Sequence, residues 1–195
     1  MRTVKIIEHL SLDGVIQVSS GSDDDFPYGD WSAPYRSPEG LAMVLGEWGE
    51  AFDLLIGRRT YDQWAAFWPH APKGPMADRL NAAMKHVVTH RPESLEWGPF
   101  EPVGPDLLDA VRRLKAKDGP TLIVSGSGSL TSMLLEHGLA DEMVLLVNPV
   151  LVGRGKRLFA EGTPPRAFAF EGTQVSPTGI LINKYRAAGP LRNLK

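Results

Sequence analysis

The sequence predicts an α/β fold: a three-layer sandwich with a mostly parallel central sheet and an antiparallel C-terminal hairpin. Three observations predict it. Short apolar runs with strand character, such as Asp53-Leu54-Leu55-Ile56-Gly57 and Thr121-Leu122-Ile123-Val124-Ser125, alternate with segments whose apolar residues recur at helical spacing. That alternation builds parallel sheets covered by helices on both faces. The chain then closes on Ala167-Phe168-Ala169-Phe170-Glu171 and Gly179-Ile180-Leu181-Ile182-Asn183-Lys184-Tyr185, two runs with a turn at Ser176-Pro177-Thr178-Gly179. The 195 residues show no internal repeat and no shift in composition, so one domain spanning 1–195 is expected.

Taken in order, Val4, Ile6 and Ile7, bounded by charged residues, read as the first strand. Ser11-Leu12-Asp13-Gly14-Val15-Ile16 follows and runs into the polar stretch 19–25, and the loop from Ser19 to Pro34 reads either as a cover for a substrate or as a solvated insertion. Ser37 is the expected N-cap of a helix with Pro38 at its first position, because Leu41, Val44, Leu45, Trp48 and Phe52 recur at helical spacing. Gly40, Gly46 and Gly49 weaken it by about 1 kcal/mol each relative to alanine, so packing must hold it. After the strand 53–57, Thr60-Tyr61-Asp62-Gln63 reads as a capping box opening a second helix that ends before Pro69. Met76, Leu80 and Ala83 or Met84 form a short helical face, and His86-Val87-Val88-Thr89 a strand. Asp106 caps a helix with Leu107, Leu108, Val111 and Leu114 inward, closed by Lys115, Lys117 and Gly119. The strand 121–125 enters a helix carrying Leu130, Met133 and Leu134 that stops at Gly138, and Met143-Val144-Leu145-Leu146-Val147 is a further buried strand.

Composition removes several function classes. Hydrophobic residues are 43% and charged residues 23%, which is ordinary globular composition. Lys and Arg number 21 against 23 Asp and Glu, so there is no basic excess for nucleic acid or an anionic membrane surface. No cysteine is present, which excludes disulfides, thiolate zinc sites and cysteine nucleophiles and fits a cytoplasmic setting. His9, His70, His86, His90 and His137 lack metal-ligand spacing, so no metal is expected. The apolar run 143–147 is too short to span a bilayer, and the N-terminus lacks a signal-peptide core.

Three strand ends carry chemistry. Gly126-Ser127-Gly128-Ser129-Leu130 sits where a strand becomes a helix, so backbone N–H groups and the helix dipole face outward, and the glycines let a phosphate approach. It reads equally as a tight turn that needs glycine for its geometry. Gly57-Arg58-Arg59-Thr60 is a second such junction, with two guanidinium groups and a hydroxyl beside a helix start; standing alone it reads as an N-cap with solvated arginines. Thr89-His90-Arg91 ends a third strand. Together they matter more, because ligands on open α/β sheets bind beyond the carboxyl ends of the strands. Thr131 occupies the third glycine position of a dinucleotide fingerprint, and Ser127 has serines where a nucleophile elbow has its outer glycines, so neither motif is complete.

In order along nearly the whole chain, these motifs resemble the dihydrofolate reductase-like superfamily, and within it the reductase domain at the C-terminus of the riboflavin-biosynthesis deaminase-reductase. The resemblance rests on 11–16, on 53–61, on Leu80-Asn81 with 85–89, on 126–130, and on 148–156 with Phe159. It implies an NADPH-dependent reductase acting on a small heterocycle, with 5-amino-6-(5-phosphoribosylamino)uracil as archetype or a pterin-like relative, and a homodimer. Carried over, Gly126, Ser127, Gly128, Ser129 and Leu130 would cradle the pyrophosphate, with Gly57, Arg58 and Thr60 opposite. Thr89, His90 and Arg91 would meet the 2′-phosphate, and Val15 and Ile16 would lie against the nicotinamide. Asp30 and Glu39 are the counterparts of the family's catalytic acid; each also reads as an ordinary charge, in a loop and in a helix first turn. A rival reading is an NADP(H)-binding sensor or scaffold without turnover, and a third is an interaction domain whose polar strand ends are ordinary turns.

Overall fold

A computed structural model of the chain describes residues 1–18, 26–104, 106–159 and 161–191, and the polar run 19–25 lies outside them. Eight strands form one sheet: β1 (Val4–Leu10), β2 (Phe52–Gly57), β3 (Lys85–Val88), β4 (Phe100–Val103), β5 (Thr121–Val124), β6 (Glu142–Val147), β7 (Arg166–Val175) and β8 (Leu181–Pro190). The helices are α1 (Pro38–Trp48), α2 (Arg58–Phe67), α3 (Pro75–Ala82), α4 (Leu107–Ala116) and α5 (Gly128–Glu136). Spatial order is β4-β3-β2-β5-β1-β6-β8-β7. The first six are parallel, and β8 and β7 add as an antiparallel edge. None of the helices is long and apolar enough to cross a membrane.

Strand periodicity sorts the core into two halves. Val4, Ile6, Leu55 and Val124 point to one face and pack with Val111 of α4 and Leu130 and Leu134 of α5; Ile7, Leu54, Ile56 and Ile123 point to the other and meet Trp48, Tyr61 and Leu80 of α1, α2 and α3. Successive side chains on a strand face opposite ways, so each central strand feeds both cores. The three layers follow from that.

Local signals account for most element ends. Ser37 caps α1 by accepting the Gly40 N–H at 3.0 Å, and Asp106 caps α4 by accepting from Asp109. At the hairpin, Ser176 N–H donates to Ile180 O and Gly179 N–H to Ser176 O, both at 2.9 Å. Four expectations need correction. Thr60 is not an N-cap: α2 starts three residues earlier with Gly57 as its cap, because the Thr60 hydroxyl is engaged elsewhere. Phe52 opens β2 rather than continuing α1, which Gly49 ends by a backbone bond to Leu45. β1 runs through Glu8 and His9, since pairing with Leu145 and Leu146 continues across them. The sequence reading had no β4, a short edge strand with three of its four residues exposed and a proline inside.

Candidate active site

A cavity of about 1340 Å³ opens along the carboxyl ends of β1, β2, β5 and β6. Its polar end is built from the two strand-to-helix junctions. Gly57 N–H donates to the Ser127 hydroxyl at 2.8 Å, that hydroxyl donates to Thr60 Oγ1 at 2.8 Å, and Ser127 N–H donates to the same Thr60 oxygen at 3.1 Å. This knot holds Ser127 at φ 52°, a left-handed conformation that costs a non-glycine residue on the order of 1 kcal/mol. Gly126 has φ 63°, and a Cβ there would stand 2.9 Å from Thr60 Oγ1. Glycine is therefore required by space as well as by backbone. Beyond it, the N–H groups of Gly128, Ser129 and Leu130 belong to the first turn of α5, where a helix supplies no acceptors of its own. Ile16 closes this side, 3.6 Å from where a Gly128 Cβ would lie.

The remaining sequence-derived residues fall outside this cradle or serve to brace it. Arg58 lines the cavity, yet its guanidinium is committed: Nε to Asp62 at 2.7 Å, and Nη1 to Arg91 O and the Ser94 hydroxyl, both at 2.8 Å. Thr89 accepts from Arg91 N–H at 3.0 Å and lies 3.4 Å from Arg58 Nη1. Thr89, His90 and Arg91 thus form a rim behind Arg58, outside the cavity lining. Val15 is fully buried with Phe26 and Trp31 in a small separate cluster, and Leu130 contributes its side chain to the core.

Asp13 explains why the first loop holds its place. Its carboxylate accepts from the Ser11 hydroxyl at 2.7 Å and from the N–H groups of Val152 and Gly153 at 3.1 and 2.9 Å. The Ser11 hydroxyl first, and then those backbone donors, keep its pKa well below the usual carboxylate range. Two distant segments, 11–16 and 150–158, are stitched together in this way.

Neither acid singled out in the sequence is placed as a proton donor. Asp30 lines the cavity, but burial, which would raise its pKa, is outweighed by the Ser32 hydroxyl and by Arg36 at 2.6 Å, so the carboxyl is held ionised. Glu39 is exposed in the first turn of α1 and does not reach the cavity lining. The structure brings in two neighbours that sequence reasoning passed over. Glu8, 7% exposed, stands between Ile6 and Leu10 on the α5 face and accepts the Gly126 N–H. Burial raises its pKa to about 8, against the opposing bonds from Gly126 and His9, so it is largely protonated at neutral pH. His9 points to the opposite face; burial and then Arg36 lower its pKa to about 4, so the imidazole is neutral. A charged pair inside a strand flanked by Ile6, Ile7 and Leu10 was the available signal.

A sequence model of the RibD C-terminal domain matches residues 2–182. The chain belongs to the RibD C-terminal domain family. The uncharacterized protein YyaP of Bacillus subtilis (strain 168) is 26% identical over 140 residues, covering 70% of this chain and 74% of YyaP. A riboflavin biosynthesis protein of Shewanella sp. PV-4, described as putative, superposes with a TM-score of 0.70 at 22% identity, covering 95% and 98% of the two chains. Dihydrofolate reductase of Enterococcus faecalis, solved with NADP(H) and RAB-propyl, gives 0.61 at 13% identity, covering 95% and 96%. The fold of this RibD-type domain is thus that of dihydrofolate reductase.

Proposed function

We propose that this RibD-type domain is an NADPH-dependent reductase acting on a small heterocycle, of the kind that includes aminouracils and pterins. The observation that carries the reading is the cradle at Gly126: a left-handed position where a Cβ would crowd Thr60, followed by the first turn of α5, whose Gly128 and Ser129 line a large cavity. Those residues fit a pyrophosphate. Bound NADPH supplies the hydride. The backbone N–H groups of Gly128, Ser129 and Leu130 would hold the pyrophosphate, and Ile16, which lines the cavity beside Gly128, would offer the nicotinamide an apolar surface. Glu8, neutral at pH 7, places no negative charge beneath the phosphates. A substrate C=N or C=O bond would take that hydride on carbon, and the heteroatom, left with the π pair, would take one proton from water.

Titration of NADPH and NADH by quenching of the five tryptophans tests the reading. Saturable NADPH binding is the expected result, and no binding of either cofactor at about millimolar concentration, the weak end of the affinity scale, overturns it. The ionised state of Asp30 and the outward position of Glu39 favour one second reading, a cofactor-binding protein without turnover. Bound NADPH that is never oxidised across uracils, pterins, flavins and quinones would select it.

A further inference from the structure

The cavity continues past Thr60 into a part of different chemistry. One wall is aromatic: Trp48 and Trp64 lie 6.4 Å apart by ring centroid, Trp64 and Trp68 6.3 Å, and Phe67 packs on Trp68 at 5.0 Å. Leu41 and Val44 of α1 extend it, and Ile7, Leu146 and Ile182 of the sheet lie across from it. Among the described lining residues of α1, α3 and α2 beyond its first turn, none is Lys, Arg, Asp or Glu. The charges nearest His9, Asp30 and Arg36, are paired with each other at 2.6 Å.

Two hydrogen-bond donors stand on this wall. Asn148 Nδ2 donates to Leu146 O at 2.9 Å and Leu10 O at 3.2 Å; two carbonyl oxygens fix the amide nitrogen on that side. Its contact with His9 Nδ1 at 3.4 Å therefore makes Nδ1 the acceptor, and the proton of the neutral imidazole sits on Nε2. Nε2 has no partner among the described residues, and His9 lines the cavity. Trp48 Nε1, on the same wall, is buried without an acceptor among the described residues.

We propose that this half of the cavity takes an uncharged, flat heteroaromatic ring bearing a carbonyl or ring-nitrogen acceptor, seated against Trp48, Trp64 and Trp68 and receiving the His9 Nε2–H. The inference rests on the reductase reading and narrows its substrate. A phosphoribosyl group or a cationic amino-substituted ring would meet, beside His9, an Arg36 and an Asp30 already paired with each other, and no charged side chain among the described lining residues of α1, α3 and α2 beyond its first turn. A neutral ring with an acceptor edge satisfies the His9 Nε2–H and buries its faces on indole, where apolar contact is favourable.

The test compares two probes that share a tricyclic flavin-type ring system: lumichrome, neutral and flat, and flavin mononucleotide, which adds a phosphorylated chain. Binding is read by tryptophan quenching with the enzyme saturated in NADP⁺, after cofactor binding has been established separately, so a failed cofactor titration condemns the reductase reading and not this one. Lumichrome binding at least about tenfold tighter than flavin mononucleotide is expected, the factor that about 1.4 kcal/mol represents. His9→Phe, verified as folded by its melting curve, is expected to weaken lumichrome by about tenfold, the scale of one hydrogen bond, and to leave NADP⁺ affinity unchanged. Equal or tighter binding of the phosphorylated probe, binding of neither probe, or an unchanged lumichrome affinity in folded His9→Phe each overturns the proposal.

Discussion

The hydroxyls of Ser127 and Thr60 meet at 2.8 Å and join the entries of two helices that cover opposite faces of the sheet. α5 and α2 follow β5 and β2, which are neighbours in the sheet, so the two junctions are held side by side at its carboxyl edge. The polar cradle at Gly126 is therefore a tertiary object shared by two βα units.

Breaking this bond should cost stability in a coupled way. Thr60→Val and Ser127→Ala are each expected to destabilise by about 1–3 kcal/mol, because each strands a buried polar partner. The double variant should fall short of their sum by about 1 kcal/mol, since the residues share one network. Urea unfolding of the four proteins measures this, and strict additivity would refute the shared knot.

Gly126→Ala places a Cβ at 2.9 Å from Thr60 Oγ1 and forces alanine to φ 63°. A loss of about 1–2 kcal/mol in stability is expected from the backbone alone. NADPH affinity should fall at least about tenfold, equivalent to about 1.4 kcal/mol, because the loop must open to relieve the contact. Calorimetric titration checks it.

Glu8 gives the protein a pH signature. Its pKa is raised from 4.5 to about 8, so between these values the folded protein keeps a proton that the unfolded chain releases. Stability therefore decreases as pH rises through that window, by an amount on the order of a few kcal/mol. Glu8→Gln, which never ionises, should flatten the decline between about pH 5 and pH 8. NADPH affinity in the native protein should also weaken above about pH 8, when Glu8, which accepts the Gly126 N–H, becomes ionised and repels a phosphate at the adjoining turn.

Asp13 acts in the opposite direction. Its carboxyl is held below the ordinary value by Ser11 first and by the Val152 and Gly153 N–H groups, so its contribution is present above the unfolded pKa and is lost as pH falls through the folded one. Asp13→Ala should release segment 150–158 and make it the first site of cleavage in limited proteolysis, with the native protein resistant there.

Arg91→Ala tests the rim behind Arg58. If the 2′-phosphate docks there, NADPH affinity should drop about tenfold or more, the scale of one charge-assisted bond, while NADH affinity stays the same. Equal losses for both cofactors would move the 2′-phosphate site elsewhere.

The layered fold was legible because it is written in local patterns. Alternating apolar runs, Pro38 after Ser37, and the turn at 176–179 each act within a few residues. The glycine loop at 126–130 was legible for the same reason, since a strand end, two glycines and a helix start adjoin in sequence. Thr60 was misread because its hydroxyl has a local use, capping, and a distant one, Ser127, and only packing chooses between them. β4 escaped notice because a short, exposed edge strand carries almost no apolar signal.

The sequence by itself determined the α/β class, the glycine cradle and the absence of any cysteine chemistry. Tertiary structure decided which charges are available for work. Asp30 is ionised because the Ser32 hydroxyl and then Arg36 hold it so, Glu8 keeps its proton because it is buried, and His9, kept neutral by burial and then Arg36, donates from Nε2 because Asn148, 139 residues away, fixes its tautomer. Proton affinity depends on desolvation and on neighbouring dipoles and charges, and these exist only once distant segments have packed.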